Sequence, residues 1–157
     1  MKEYKKYYFA LVGVVLIVFI ALYQLVKVKD LDMNELKDQI SQVVNLEKVE
    51  QGDSLKLRKL YYIDKNEVEE FILFAPKSNM DAEEVLVLKS GNEENMINLK
   101  SKVEARIKKQ SDSFRSYRPE EYDIISNSVL KVKGNYLVLI ISKESAEIEA
   151  AVNRAFK

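Results

Sequence analysis

Cysteine, histidine and tryptophan are missing from all 157 residues. Without cysteine there is no disulfide framework, no thiol nucleophile and no thiolate metal site, and no lipidation cysteine of the bacterial lipoprotein kind. Without histidine the commonest general base and the commonest transition-metal ligand are both gone. Charge of one sign is lacking too: 25 basic side chains meet 25 acidic ones. That balance argues against a protein built to bind nucleic acid, which normally carries a basic excess.

What is present begins with an uncharged stretch. Residues 7–26 read YYFALVGVVLIVFIALYQLV, with Gln24 as the one strongly polar side chain. About 20 apolar residues at a rise of about 1.5 Å cover a hydrocarbon core of roughly 30 Å. Tyr7, Tyr8 and Tyr23 fit interfacial aromatic belts, and Lys2, Lys5 and Lys6 before the stretch outweigh Lys27 and Lys29 after it, which favours a cytoplasmic N-terminus. A cleaved secretory signal would have a shorter apolar region and small residues at its cleavage site, and Ala21-Leu22-Tyr23-Gln24 is a poor site of that kind. The expectation is a cytoplasmic N-terminus at 1–6, a single transmembrane anchor at 7–26 in the lipid bilayer, a linker at 27–32 and an extracytoplasmic domain at 33–157.

That domain reads as α+β. Asp32 and Glu35 have the spacing of a capping box, Leu31 and Leu36 that of a hydrophobic staple, and Leu36, Ile40, Val43 and Val44 predict a helix from Met33 to Asn45. Gly52-Asp53 breaks the chain, and a short helix with Leu57, Leu60 and Tyr61 inward follows. Residues 71–75 (FILFA), stopped by Pro76, and 85–88 (VLVL) read as a hairpin joined by the turn-rich loop from Lys77 to Asp81. Met96, Leu99, Val103, Ile107, Gln110 and Phe114 mark the longest helix. Pro119 starts a short helical turn through Tyr122. Gly134-Asn135 between residues 129–133 and 136–141 signals a type II′ hairpin, whose second strand, apolar on both faces, belongs inside the sheet. Ser142 is placed as the cap of a last helix carrying Ile148, Ala151, Val152 and Ala155 inward. A four-stranded, mainly antiparallel sheet packed with helices satisfies this order.

From Tyr61 to Ser142 the chain resembles family 4358 of the domains of unknown function. The residues that carry the likeness run from Glu69 through Phe71, Phe74, Ala75, Pro76, Lys77, Ser78 and Asn79 to Met80. Val103-Glu104-Ala105-Arg106, Gln110, Ser113-Phe114, Tyr117, Pro119-Glu120-Glu121-Tyr122 and Lys133-Gly134-Asn135-Tyr136 support it. The resemblance implies a lipoprotein or membrane-anchored protein of low-GC Gram-positive bacteria. Members often carry a lipidated cysteine; this chain departs from that. The family implies no activity and no catalytic residue.

Chemistry is sparse. The acidic pairs Glu69-Glu70, Glu83-Glu84, Glu93-Glu94 and Glu120-Glu121 are expected to be solvated or capping, since strand neighbours point to opposite faces and acids at a helix start complement its dipole. Ser128-Val129-Leu130-Lys131 matches S-x-x-K, but the chain lacks the partner motifs of penicillin-binding enzymes and has no threonine. No catalytic residue, metal site or cofactor is expected. The stretch from Gln110 to Pro119 is rich in Ser, Tyr and Arg, and Tyr and Arg are favoured at binding surfaces. Lys100, Lys102, Arg106, Lys108, Lys109, Arg115 and Arg118 add positive charge that suits an anionic envelope polymer or lipid headgroups. The candidate partner-binding residues are Arg115, Tyr117, Arg118 and Tyr122, then Lys77, Ser78 and Asn79. The expected function is a noncatalytic interaction module for a protein partner or an envelope polymer. The alternatives are a self-assembling structural component, on an element order like that of ring-building sporulation proteins, and an enzyme working through carboxylates.

Overall fold

A computed structural model describes residues 3–26 and 30–156. The side chains of residues 3–6 and 23–26 are outside that description. Of the expected flanking lysines, Lys2, Lys27 and Lys29 lie outside the described residues, as do the side chains of Lys5 and Lys6 and half of the expected linker, residues 27–29.

Residues Glu3–Val26 form helix α1. Its large apolar side chains are exposed from Tyr7 to Leu22, among them Phe9, Leu16, Ile17 and Phe19. Among the described residues no helix is long and apolar enough to cross a membrane.

The order then runs α2 (Met33–Ser41), β1 (Val49–Gln51), α3 (Ser54–Tyr61), a single 3-10 turn, β2 (Glu70–Pro76), β3 (Glu84–Lys89), α4 (Glu93–Phe114), α5 (Pro119–Ser126), β4 (Val129–Lys133), β5 (Tyr136–Ile141) and α6 (Ser145–Ala155). The sheet has five strands, not four, in the order β1-β2-β3-β5-β4, and every neighbouring pair is antiparallel. The additional strand β1 lies along β2, with Val49 opposite Pro76 and Gln51 opposite Phe74. Three residues are too few to show a period of two, and β1 is held by its partner rather than by its own pattern.

Strand alternation sorts the core into two layers. Leu73, Ala75, Leu86, Leu88, Leu137, Leu139 and Ile141 face α3, α4 and α5. Ile72, Phe74, Val85, Val87, Val138 and Ile140 face α2 and α6. β5 is buried along its whole length between β3 and β4, as its unbroken apolar run predicts. The turn after β4 is of the expected kind: Gly134 has φ 58° and Asn135 is not left-handed, the signature of type II′ rather than I′.

Local expectations hold in part. Asp32 caps α2, its carboxylate accepting from the backbone N–H groups of Asn34 and Glu35. Leu31 and Leu36 are both buried. The reciprocal half of the capping box does not form, because the Glu35 carboxylate accepts from Gln39 instead. The helix stops at Ser41 rather than Asn45, where the chain turns toward β1. α5 runs four residues past Tyr122 and buries Ile124 and Ile125. Ser142 does not cap α6: it lies two residues before the helix's N-cap, Glu144, accepting from the Glu144 N–H and donating to the Glu144 carboxylate. Gly52 donates to the Leu73 carbonyl at 2.8 Å, and a Cβ there would lie 2.6 Å from a Leu73 methyl, so only glycine fits this close backbone approach.

The start of the folded body lies earlier than residue 33. Tyr136 donates to the Asp30 carboxylate, and its hydroxyl oxygen accepts from the Leu31 N–H at 3.0 Å. The Lys89 ammonium sits 2.9 Å from Asp30, with Glu69 and Glu70 behind it at 3.5 and 3.6 Å. The hydrogen bond from Tyr136, then that from Lys89, hold the Asp30 carboxyl below the usual aspartate value. The segment following the expected span is thus strapped onto the sheet.

Candidate functional site

Two loops chosen independently from the sequence meet in space. The β2–β3 connection carries Lys77, Ser78 and Asn79, and the turn between α4 and α5 carries Tyr117. Together with α3 they line one open cleft of about 410 Å³. The Tyr117 ring stacks on Phe114 at 5.8 Å and 11°, and its hydroxyl reaches Sδ of Met80 at 3.8 Å, joining the two rims.

Each element contributes for a local reason. The 77–81 loop is braced by its turn chemistry: Ser78 Oγ accepts from the Met80 N–H at 3.0 Å. The Lys77 ammonium donates to the Leu46 carbonyl at 2.6 Å, and its backbone N–H to the Lys48 carbonyl at 2.8 Å. Ser78 and Asn79 remain exposed. α3 brings Lys56 and Lys59, and α4 brings Arg106, Lys109 and Gln110, to the same space. Lys56 is paired with Glu50. Lys109 lies 6.0 Å from the Tyr62 ring.

Below Arg106 and Gln110 lies a buried polar network that the sequence reading missed. Glu84, the first residue of β3, is fully buried. It shares the face of Leu86 and Leu88, and so points into the α3/α4 layer. Arg106 grips it side-on, Nη2 to Oε2 at 2.8 Å and Nε to Oε1 at 3.4 Å. Gln110 donates to Oε2 at 3.0 Å, and the Tyr61 hydroxyl donates to Oε1. Burial, then the Glu84 charge, push the Tyr61 phenol well above its ordinary value. Burial alone would lower Arg106, but the Glu84 charge outweighs it and raises the guanidinium. Gln110 Oε1 is buried with no hydrogen-bond partner. The expectation that Glu83-Glu84 and Glu120-Glu121 are solvated or capping fails for Glu83, Glu84 and Glu121. The signal was there: Gln110 occupies a core-spaced position on α4, and an acid opens a buried strand.

The remaining predicted residues go elsewhere. Arg118 pairs with the buried Glu121 at 3.5 Å. Glu121 also accepts from the Ala82 N–H at 2.8 Å and lies 3.6 Å from Lys48, which meets Glu83 at 3.2 Å. Burial pulls the Lys48 ammonium down, and Glu83 and Glu121 together leave it above the usual lysine value. Tyr122 packs against the core, with Arg115 over its ring at 5.6 Å. Arg115, Arg118 and Tyr122 therefore brace the α4–α5 corner, while Tyr117, Lys77, Ser78 and Asn79 share the cleft. The basic face of α4 is also partly neutralised: Lys100 meets Glu104, Lys102 meets Glu67 and Lys108 meets Asp112. Among the described residues no group of three or more acids gathers to hold a metal ion. The arrangement is suited to holding an anion between fixed donors.

The family model described as Domain of unknown function (DUF4358) matches residues 42–142. No curated protein and no solved structure matches the chain.

Proposed function

On the premise that the chain belongs to the DUF4358 family, whose description assigns no activity, we propose that it is a membrane-anchored extracytoplasmic interaction module that captures an anionic partner or polymer in the α3/α4 cleft. The observation that carries this reading is the convergence of Lys56, Lys59, Lys77, Arg106 and Lys109 on one open cleft in which Asp81 is the only acid of the lining. A concave site lined by one sign of charge concentrates ligands of the other. The exposed Tyr117 ring adds an amphipathic contact of the kind that binding surfaces favour. Catalysis is not needed to explain this arrangement.

Anchoring rests on residues 7–26, uncharged and of spanning length, and on the exposed apolar side chains of α1. Contiguous apolar surface of that extent is stable when lipid or a partner covers it. With the N-terminus cytoplasmic, the strap from Asp30 to Tyr136 keeps the domain close to the outer headgroups. Protease added outside intact cells is expected to degrade the C-terminal domain; full protection, or full-length protein in the cytosolic fraction, refutes the placement.

The cleft is tested with the full chain in zwitterionic nanodiscs and fluorescent polyglutamate as a generic polyanion. Binding is expected at low salt, with loss at high salt and in the Lys59→Ala/Lys109→Ala variant. No binding at low salt, or equal binding by that variant, overturns the assignment. A second reading, self-assembly, draws on the β4 edge. Val132 is exposed there, beside an apolar groove of about 230 Å³ formed with Val138, Ile140, Val152 and Phe156. Unpaired strand edges are pairing sites, and light scattering of the full chain separates a monomer from an assembly.

A further inference from the structure

The cleft's cations are not equivalent, and their arrangement narrows the ligand. Lys59 and Lys109 are exposed ammonium groups that attract any anion. Arg106 is different. Its side chain is 12% exposed, and Glu84 holds its Nε and Nη2 edge from below. A guanidinium carries five N–H donors in a rigid fork; the side-on grip on Glu84 uses Nε and one Nη2 hydrogen, and the same side chain lines the cleft. A guanidinium fixed in this way suits an oxyanion with several acceptor oxygens, and phosphate fits that geometry better than a point-charge lysine site would require.

One turn further along α4, Gln110 supplies the second clue. Its Nε2 is committed to Glu84 at 3.0 Å, and its Oε1 is buried with no partner. An unpaired buried acceptor is costly, and it is satisfied by a donor. A phosphate diester or a carboxylate has no hydrogen to give; a hydroxyl does. Gln110 lines the same cleft as Arg106, so one ligand meets both if it carries an oxyanion and a hydroxyl a short distance apart. The exposed Tyr117 ring, stacked on Phe114 and tied to Met80, offers a flat surface for the carbon skeleton between them.

Resting on the cationic-cleft reading above, we infer that the ligand is a phosphodiester-linked polyol: its phosphate sits against Arg106 with Lys59 and Lys109 around it, and a hydroxyl donates to Gln110. Two sources offer this chemistry, a soluble polyol-phosphate polymer of the envelope and the headgroup of an anionic polyol phospholipid. The strap at Asp30 keeps the domain within reach of either.

The test uses the full chain in nanodiscs. In the first arm the discs are zwitterionic and fluorescent polyglycerol phosphate is compared with polyglutamate of equal charge. Polyglycerol phosphate is expected to bind roughly tenfold tighter or more, the worth of about one charge-assisted hydrogen bond. Arg106→Lys, which keeps the charge and loses the fork, and Gln110→Met, which keeps the volume and loses the acceptor, are expected to erase that preference by weakening polyglycerol phosphate binding more than polyglutamate binding. Circular dichroism of both variants checks the fold. If either has lost its fold, Tyr117→Ala, at an exposed side chain, carries the test with the same expected loss of preference. In the second arm phosphatidylglycerol replaces the zwitterionic lipid. Competition with the soluble polymer identifies the headgroup as the source; undiminished binding identifies the polymer. Equal affinity for the two polymers, or an unchanged preference in the folded variants, overturns the phosphodiester-polyol assignment and leaves the cationic cleft standing. Failure to bind either polymer overturns both.

Discussion

The two faces of the sheet are built from the same strands by different rules. Toward α2 and α6 the layer is apolar side chains, Leu36, Ile40, Val85, Val87, Ile140 and Ile148 among them, with Tyr136 placing its hydroxyl at the strap. Toward α3, α4 and α5 the leucine-rich layer opens at one end onto Glu84, Arg106, Gln110 and Tyr61. Apart from the Tyr136 strap, the first face is held by apolar burial. The second accepts a fully buried carboxylate, which is weak as a source of stability when compared with packed apolar groups. That charge lies directly under the cleft and holds Arg106 and Gln110, two residues of its lining.

The largest effect that separates the two faces comes from breaking the buried pair on one side only. Arg106→Ala leaves Glu84 charged and buried, and is expected to cost about 3–5 kcal/mol. Glu84→Leu combined with Arg106→Leu leaves no unpaired charge, only the neutral donors of Tyr61 and Gln110 without their acceptor, and is expected to cost less. On the opposite face Leu36→Ala removes a fully buried side chain and is expected to cost about 2–5 kcal/mol, with no change in polyanion binding. Urea unfolding of the full chain, followed by circular dichroism because there is no tryptophan, measures all three. If the double variant is as unstable as Arg106→Ala, the pair serves stability and the contrast between the faces dissolves.

Alkaline pH sharpens the same contrast. The Tyr61 phenol is raised above its ordinary value of about 10 by burial and by Glu84. A group raised in the folded state binds its proton more tightly there than in the unfolded chain. Its contribution is therefore fully present below the unfolded value and is lost as pH climbs toward the folded one. Stability is expected to fall from about pH 10 upward. In Tyr61→Phe that fall becomes shallower, while the Tyr136 hydroxyl, also raised by burial and then by Asp30, still contributes its share. Parallel pH profiles for the two proteins count against Tyr61 as the sensitive group.

The apolar face was largely legible in the sequence, and the polar network was not. Unbroken apolar runs at 71–75 and 85–88 marked two buried strands, and the spacing of Leu36, Ile40 and Val44 marked the helix that packs on them, because burial on both faces of a strand and on one face of a helix leaves those patterns. β1 escaped because Val49-Glu50-Gln51 has no room to express a period. The cleft was half legible: turn chemistry marked Lys77 to Asn79, and Ser-Tyr-Arg composition marked Tyr117. Glu84 was hidden because an acid beside a second acid reads as solvated, and only the partners on α3 and α4, about 20 residues away on either side in the chain, reveal it as buried. Arg115 and Arg118 were marked by composition alone, which does not reveal that one lies over the Tyr122 ring and the other meets Glu121.

The smallest expected effect lies at Tyr62, where the two demands meet in one residue. It ends α3 in the left-handed conformation at φ 57°, ψ 34°, with its ring exposed and Lys109 6.0 Å away. Glycine is the usual residue at such a helix end, because a side chain there costs roughly 1–2 kcal/mol. Tyr62→Gly is expected to recover about 1 kcal/mol of that strain, less whatever the weak contact with Lys109 contributes. If Tyr62 were only a helix terminator, the variant would gain stability and keep its affinity for polyanions. If the ring steadies Lys109 at the cleft, as strain retained beside a binding site suggests, the gain in stability comes with weaker binding at low salt. Urea unfolding and nanodisc binding of the same preparation separate the two outcomes.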